Sequence, residues 1–196
     1  MTRTHSRVQG IGLLAQPSDS GSYRSVLDSN GANQEKIVSF CAELVKAKKE
    51  QAPLIPDKIA SAFTVVDVTG DGNCLFRAIS RARGPNENLH ENYRLMAAGQ
   101  VARTYDIATI CAATSVQYVN QIAYFKVMSI PARSAQETNR CGGSLELLGF
   151  AQRFGITINV YMPDGNPIAA NPGKGEVINL FYVNGNHYKV LVPKAS

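Results

Sequence analysis

The chain has 196 residues, enough for one domain with a sizeable core and short for two. Hydrophobic residues make up 44%, which excludes wholesale disorder, and no apolar run reaches the length of a membrane span. The net charge of +5 permits contact with acidic surfaces, but there is no RNP, zinc-finger or dense Lys/Arg motif, so nucleic acid is not an expected partner.

The four cysteines, Cys41, Cys74, Cys111 and Cys141, are widely spaced, with no Cys-x-x-Cys pair to hold zinc. The longest early apolar run, Ile11–Ala15, is too short for a signal peptide, so reduced thiols in a cytoplasmic setting are expected.

Residues 1–33 are polar, rich in Ser, Gly, Asn and Asp, and read as a flexible N-terminal segment. Asn33 then caps a helix to about Gln51, with Ile37, Phe40, Cys41, Leu44, Val45 and Lys48 at helical spacing. Pro53 ends it, and Asp57–Phe63 adds a turn or two. Residues 34–63 therefore form a helical extension expected to pack on the core of the domain, with Cys41 buried as a small hydrophobe.

Phe63–Val68 is β-branched and extended. After the glycine turn Thr69–Asn73, a helix is predicted over Cys74–Ala82, with Leu75, Ile79 and Ala82 in register and Phe76 beside them. Two further helices are predicted, the first over Leu89–Thr104 with Tyr93, Ala97 and Val101 in register. The second spans Ser115–Met128, with Val116, Val119, Ile122, Ala123 and Val127 inward. Cys111 is expected in the core, and Pro131–Arg140 reads as a loop.

Gly142 and Gly143 precede a helix over Ser144–Phe154, with Leu145, Leu148 and Ala151 or Gln152 in register. Ile156–Met162 alternates as a strand, with Thr157, Asn159 and Tyr161 on its polar face. A loop bounded by Pro163–Gly165 and Asn171–Gly175 leads to the strand Val177–Tyr182. Asn184-Gly185 is a hairpin signal between two alternating runs that end at Val192.

Cys74 falls in the first turn of its helix, where unpaired N–H groups and the helix dipole favour a thiolate and can donate to an oxyanion. A base is required, and there are three histidines: His5 in the polar segment, His90 at a helix start, and His187 on a strand. A strand fixes a ring's orientation, so His187 is the candidate base. A cysteine on a helix start with a histidine on a strand far downstream is the papain-like order of parts.

Asp71-Gly72-Asn73-Cys74-Leu75-Phe76-Arg77-Ala78 resembles the cysteine box of the ovarian-tumour (OTU) family of deubiquitinating cysteine proteases. Asn186-His187-Tyr188 is similar to its histidine box, and Gly142–Leu147 with Ile156–Tyr161 to its middle segment. The resemblance implies an α/β papain-like fold with a small mixed or antiparallel sheet against helices, and an OTU-like catalytic domain over 64–196. It implies hydrolysis after the C-terminal Gly-Gly of ubiquitin, with Cys74 as nucleophile and His187 as base. Asp71 would shape the oxyanion loop, and no metal or organic cofactor would take part.

The partners so implied are ubiquitin or polyubiquitin chains, with ubiquitin-like modifiers as an alternative, bound by a monomer. The small size and the weak match outside the three boxes fit a bacterial effector or viral enzyme acting in host cytoplasm. A polyprotein endopeptidase and a catalytically weak ubiquitin-binding module are the rival readings. Residues 34–63 could hold ubiquitin instead of only packing, and 131–140 would lie near the path of the substrate tail.

Two departures from the family stand out. Cys141 replaces a tryptophan that usually precedes the two glycines. Many members place Asp or Asn two residues after the histidine; here that residue is Lys189, which can only donate. The orienting group is then Asn159, as in papain-like enzymes, or Asp67 from upstream, or a backbone carbonyl or water. Asn159 is the preferred expectation.

Overall fold

A computed structural model describes residues 34–43 and 55–195. The polar segment 1–33, with His5, and the second half of the first predicted helix lie outside the described residues. Helix α1 occupies residues 34–43 and puts Ile37 and Cys41 into the core. Burial pushes the Cys41 thiol up to about 11, with Glu146 adding to the effect, so it stays protonated and inert.

Helix α2 (Asp57–Ala62) runs directly into β1 (Phe63–Val66), and the cysteine turn leads to α3 (Cys74–Arg83). Then come α4 (His90–Thr104), α5 (Ile107–Thr114), α6 (Gln121–Met128) and a short 3-10 turn (Thr138–Arg140). Helix α7 (Ser144–Phe154) precedes β2 (Thr157–Tyr161), β3 (Pro167–Ala170), β4 (Val177–Val183) and β5 (His187–Pro193). Gly155, at φ 61°, stops α7 in the left-handed conformation that favours glycine.

The strands form one mixed sheet in the order β1-β5-β4-β2-β3, with β2 and β4 parallel and the other pairs antiparallel. Asn184 and Gly185 take φ of 54° and 70°, the positive pair that a tight hairpin between β4 and β5 requires. The expected small sheet against helices is thus present.

Leu145, Phe150 and Ala151 of α7 and Leu75, Phe76 and Ile79 of α3 pack with Ile158, Val160, Leu180 and Val190 of the sheet. Each such side chain contributes about 1.5–3 kcal/mol by leaving water. Ile59 of α2, with Phe181, Val183 and Leu191, forms a smaller second cluster. At Gly149 an added Cβ would meet Val101 Cγ2 at 2.6 Å, so α7 and α4 approach more closely than any larger residue permits.

Three local expectations are corrected. The helix predicted over Ser115–Met128 begins at Gln121, because Asn120 caps it by accepting from the Ala123 amide. Tyr124 and Met128 are its buried residues, while Val119 and Ile122 are 87% and 65% exposed. The stretch before it holds an additional helix, α5, capped by Asp106 on the Thr109 amide and ended by Ser115 at φ 56°.

Cys111, expected in the core, is half-buried and accepts from the Tyr118 amide. The loop expected over 163–175 contains the edge strand β3, whose Pro167 occupies its first position, where a missing N–H is tolerated.

Candidate active site

Cys74 is the first residue of α3 and is 7% exposed. Its Sγ lies 3.7 Å from the carbonyl oxygen of Asn186, the residue before His187. The turn between β4 and β5 therefore brings the histidine strand to Cys74. Burial raises the Cys74 thiol; opposing it, the amides of Tyr188, Leu75 and Cys74 itself favour the thiolate.

His187 begins β5 and its ring packs over Gly70, whose added Cβ would fall 3.7 Å from Cε1 and 3.8 Å from Nδ1. The other ring nitrogen, Nε2, lies 2.8 Å from Asp67 Oδ1. Asp67 Oδ1 also accepts from the Val68 amide at 2.9 Å, and Oδ2 accepts from Lys189 Nζ at 3.0 Å. Partial burial would raise this carboxyl, but the bonds from His187, Lys189 and Val68 prevail and hold it near 2.

The preferred expectation for the orienting group is corrected by this geometry. Asn159 donates to Asn179 Oδ1 at 3.0 Å across the β2–β4 pair. On β4 its partner is Asn179 and that of His187 is Val183, four residues further along, with β4 itself lying between β2 and β5. That is roughly 10 Å across the sheet and 13 Å along it, beyond any hydrogen bond. The alternative that the sequence left open, Asp67, is the residue brought to the imidazole.

Asp71 is engaged within its own loop and by Arg77. It accepts the Asn73 amide at 3.0 Å and takes the Arg77 guanidinium in a fork, with Nη2 at 2.6 Å and Nε at 3.1 Å. Partial burial opposes its ionisation, yet Arg77 and Asn73 hold its carboxyl well below the usual range. Arg77 also reaches Glu87 at 3.3 Å, and both Glu87 oxygens lie 3.4 Å from the Thr69 amide. The loop 69–73 is thus clamped from both ends.

Two buried side chains that the sequence reading passed over complete the clamp. The Asn73 carboxamide donates to the Ala132 carbonyl and accepts from the Ala132 amide, both at 2.9 Å. Arg94, fully buried on α4, donates to Asn73 Oδ1 at 2.8 Å, Arg140 O at 2.7 Å, Met128 O at 3.2 Å and Gly72 O at 3.4 Å. Its guanidinium stacks on Phe76, 4.5 Å from the ring centre. Among the described residues no carboxylate lies in ion-pair distance of it, so its charge is held by carbonyl dipoles.

Gly72, at φ 87°, adopts a backbone that glycine favours, and an added Cβ would meet Ala132 Cβ at 2.8 Å and Ser134 O at 2.9 Å. A Cβ on Gly142 would meet Phe76 at 2.6 Å and Leu75 at 2.9 Å, so the glycine segment lies against the first turn of α3. Cys141, in place of the family's tryptophan, is half-buried with its thiol 3.9 Å from Glu137 O. His90 is engaged elsewhere, with Nδ1 2.8 Å from Glu87 O.

No protein-family profile and no curated protein sequence matches the chain. Solved structures do match. The viral OTU domain protease of Dera Ghazi Khan virus superposes with a TM-score of 0.55 at 22% identity, over 70% of this chain and 85% of that one. The Hazara virus OTU, solved bound to ubiquitin, gives 0.52 at 21% identity over 70% and 86%. The OTUB1 complex with ubiquitin aldehyde and UBCH5B~Ub gives 0.51 at 14% identity over 88% and 98%. The chain has the OTU fold.

Proposed function

We propose that this OTU-fold protein is a cysteine-type deubiquitinase that cleaves the isopeptide or peptide bond after the C-terminal glycine of ubiquitin. The observation that carries the reading is the convergence of Cys74, at the head of α3, with a histidine strand whose imidazole is bonded to a carboxylate. The OTU neighbours solved with ubiquitin favour that substrate among those a cysteine protease could take.

The chemistry follows from the hydrogen bonds. With Nε2–H given to Asp67, the imidazole keeps Nδ1 as an acceptor for the Cys74 proton. Sγ attacks the carbonyl carbon of the terminal glycine, and negative charge moves to its oxygen. The Asn73 amide is committed to Asp71, which leaves the amides of Gly72 and Cys74 to receive that oxyanion. The imidazolium protonates the departing amine, and a water deprotonated by His187 then releases ubiquitin from the thioester.

The test is the intact mass of the protein after exposure to ubiquitin bearing a thiol-reactive C-terminal group. One adduct on wild type, absent in Cys74→Ala and slow in His187→Ala, is the expected result. A folded wild type that forms no adduct would refute the reading.

A further inference from the structure

Lys189 stands two residues after His187, where a donor has no use for an imidazolium. The sheet explains what it does instead. β1 and β5 pair Val66 with Val190, and the same register carried one residue on sets Asp67 opposite Lys189. His187 and Lys189, two apart on one strand, share a face. Asp67 reaches both: Oδ1 to His187 Nε2 at 2.8 Å, Oδ2 to Lys189 Nζ at 3.0 Å.

The Asp67 side chain is 63% exposed. An exposed carboxylate held at one oxygen rotates freely and its ion pairs are weak. Here the Val68 amide and His187 share Oδ1 while Lys189 takes Oδ2, so both oxygens are assigned. Lys189, at 28% side-chain exposure, is the less solvated partner.

We propose that Lys189 is a positioning residue of this site: it fixes the Asp67 carboxylate so that Oδ1 faces His187. The inference rests on the reading of Asp67 as the group that orients His187.

The test compares Lys189→Met, Lys189→Arg, Asp67→Asn, Asp67→Lys and the exchange Asp67→Lys/Lys189→Asp in the full chain. Turnover is read as kcat and KM separately on ubiquitin carrying a C-terminal fluorophore. Lys189→Met should lower kcat about fivefold to tenfold, the scale of losing one ordinary hydrogen bond as befits a solvated pair, with KM unchanged.

Lys189→Arg should restore kcat, and Asp67→Asn should lower it, again with KM unchanged. The exchange variant should regain turnover over Asp67→Lys alone, since the relocated carboxylate would share the face of His187. Wild-type kcat in Lys189→Met, with Asp67→Asn impaired, would overturn the role of Lys189 and leave that of Asp67. Equal losses in the Met and Arg variants, or a KM that changes along with kcat, would also overturn it, as a merely structural effect. An unimpaired Asp67→Asn would instead defeat the reading beneath it.

Discussion

His187 Nε2 and Asp67 Oδ1 lie 2.8 Å apart, although 120 residues separate them in the chain. The pairing of β1 with β5 creates this contact, because Asp67 leaves β1 just as His187 enters β5. An imidazole bonded in this way keeps one tautomer and one orientation, which a nucleophile–base pair needs.

Asp67→Ala should therefore reduce turnover on the order of a hundredfold, less than the loss at a fully buried triad acid because this carboxylate is solvated. Asn159→Ala should leave turnover unchanged and cost about 0.5–1.5 kcal/mol of stability, the worth of its bond to Asn179. Steady-state kinetics on a ubiquitin–fluorophore substrate, with urea melts, check both. Normal turnover in Asp67→Ala combined with loss in Asn159→Ala would reverse the assignment.

Arg94→Met should destabilise the fold by about 3 kcal/mol, because the carbonyls of Gly72, Met128 and Arg140 lose this donor at once and Asn73 Oδ1 keeps only the Ala132 amide. Arg94→Lys should recover only part of this, since an ammonium cannot span Gly72, Asn73, Met128 and Arg140 as a planar fork does. The denaturant midpoint reports the stability. The alkylation rate of Cys74 reports whether the preceding loop has moved.

Gly142→Ala should cost about 1–3 kcal/mol by overpacking against Phe76 and Leu75. The strain is delivered to the first turn of α3, so kcat should fall with it while ubiquitin affinity changes less. Gly155→Ala, at a positive φ with open space around it, should lower stability through backbone strain alone and leave kcat intact. Paired melting and kinetic measurements separate the two.

Acid should weaken the fold through its clamped carboxylates. Asp67 falls from the ordinary 3.8 to about 2 when folded, so its contribution is present above about pH 4 and disappears as pH drops through 2. At 63% exposure solvent screening keeps that contribution below about 1 kcal/mol. Asp71, fastened by Arg77, is depressed further and should matter more. Asp71→Asn should melt at a lower temperature than wild type at pH 6, with the gap closing as pH falls toward 2. A gap independent of pH would refute this.

The placement of Cys74 at a helix start and of His187 on a strand was legible because each is set in a short local context, a glycine turn before a helix and a hairpin before a strand. The contact of Asp67 with His187 was only one of three alternatives, since it depends on strand order, and nothing local says that β1 lies beside β5 and β2 does not. Arg94 carried a usable signal: it shares the spacing of Ala97, Ala98 and Val101, an arginine on an apolar stripe that must find buried acceptors. The late start of α6 was also readable from Asn120 as a cap, but the apolar residues before it matched the helical period and outweighed the cap.

The β1–β5 pairing has a temporal side as well. During synthesis Cys74 emerges long before residues 187–193, so a nascent chain carries that thiol without the strand that the fold later sets beside it. Long-range pairings of this kind close late, after local helices have formed. On the proposed reading, cleavage would be withheld until β5 is docked, which would spare the ribosome-bound chain and its neighbours.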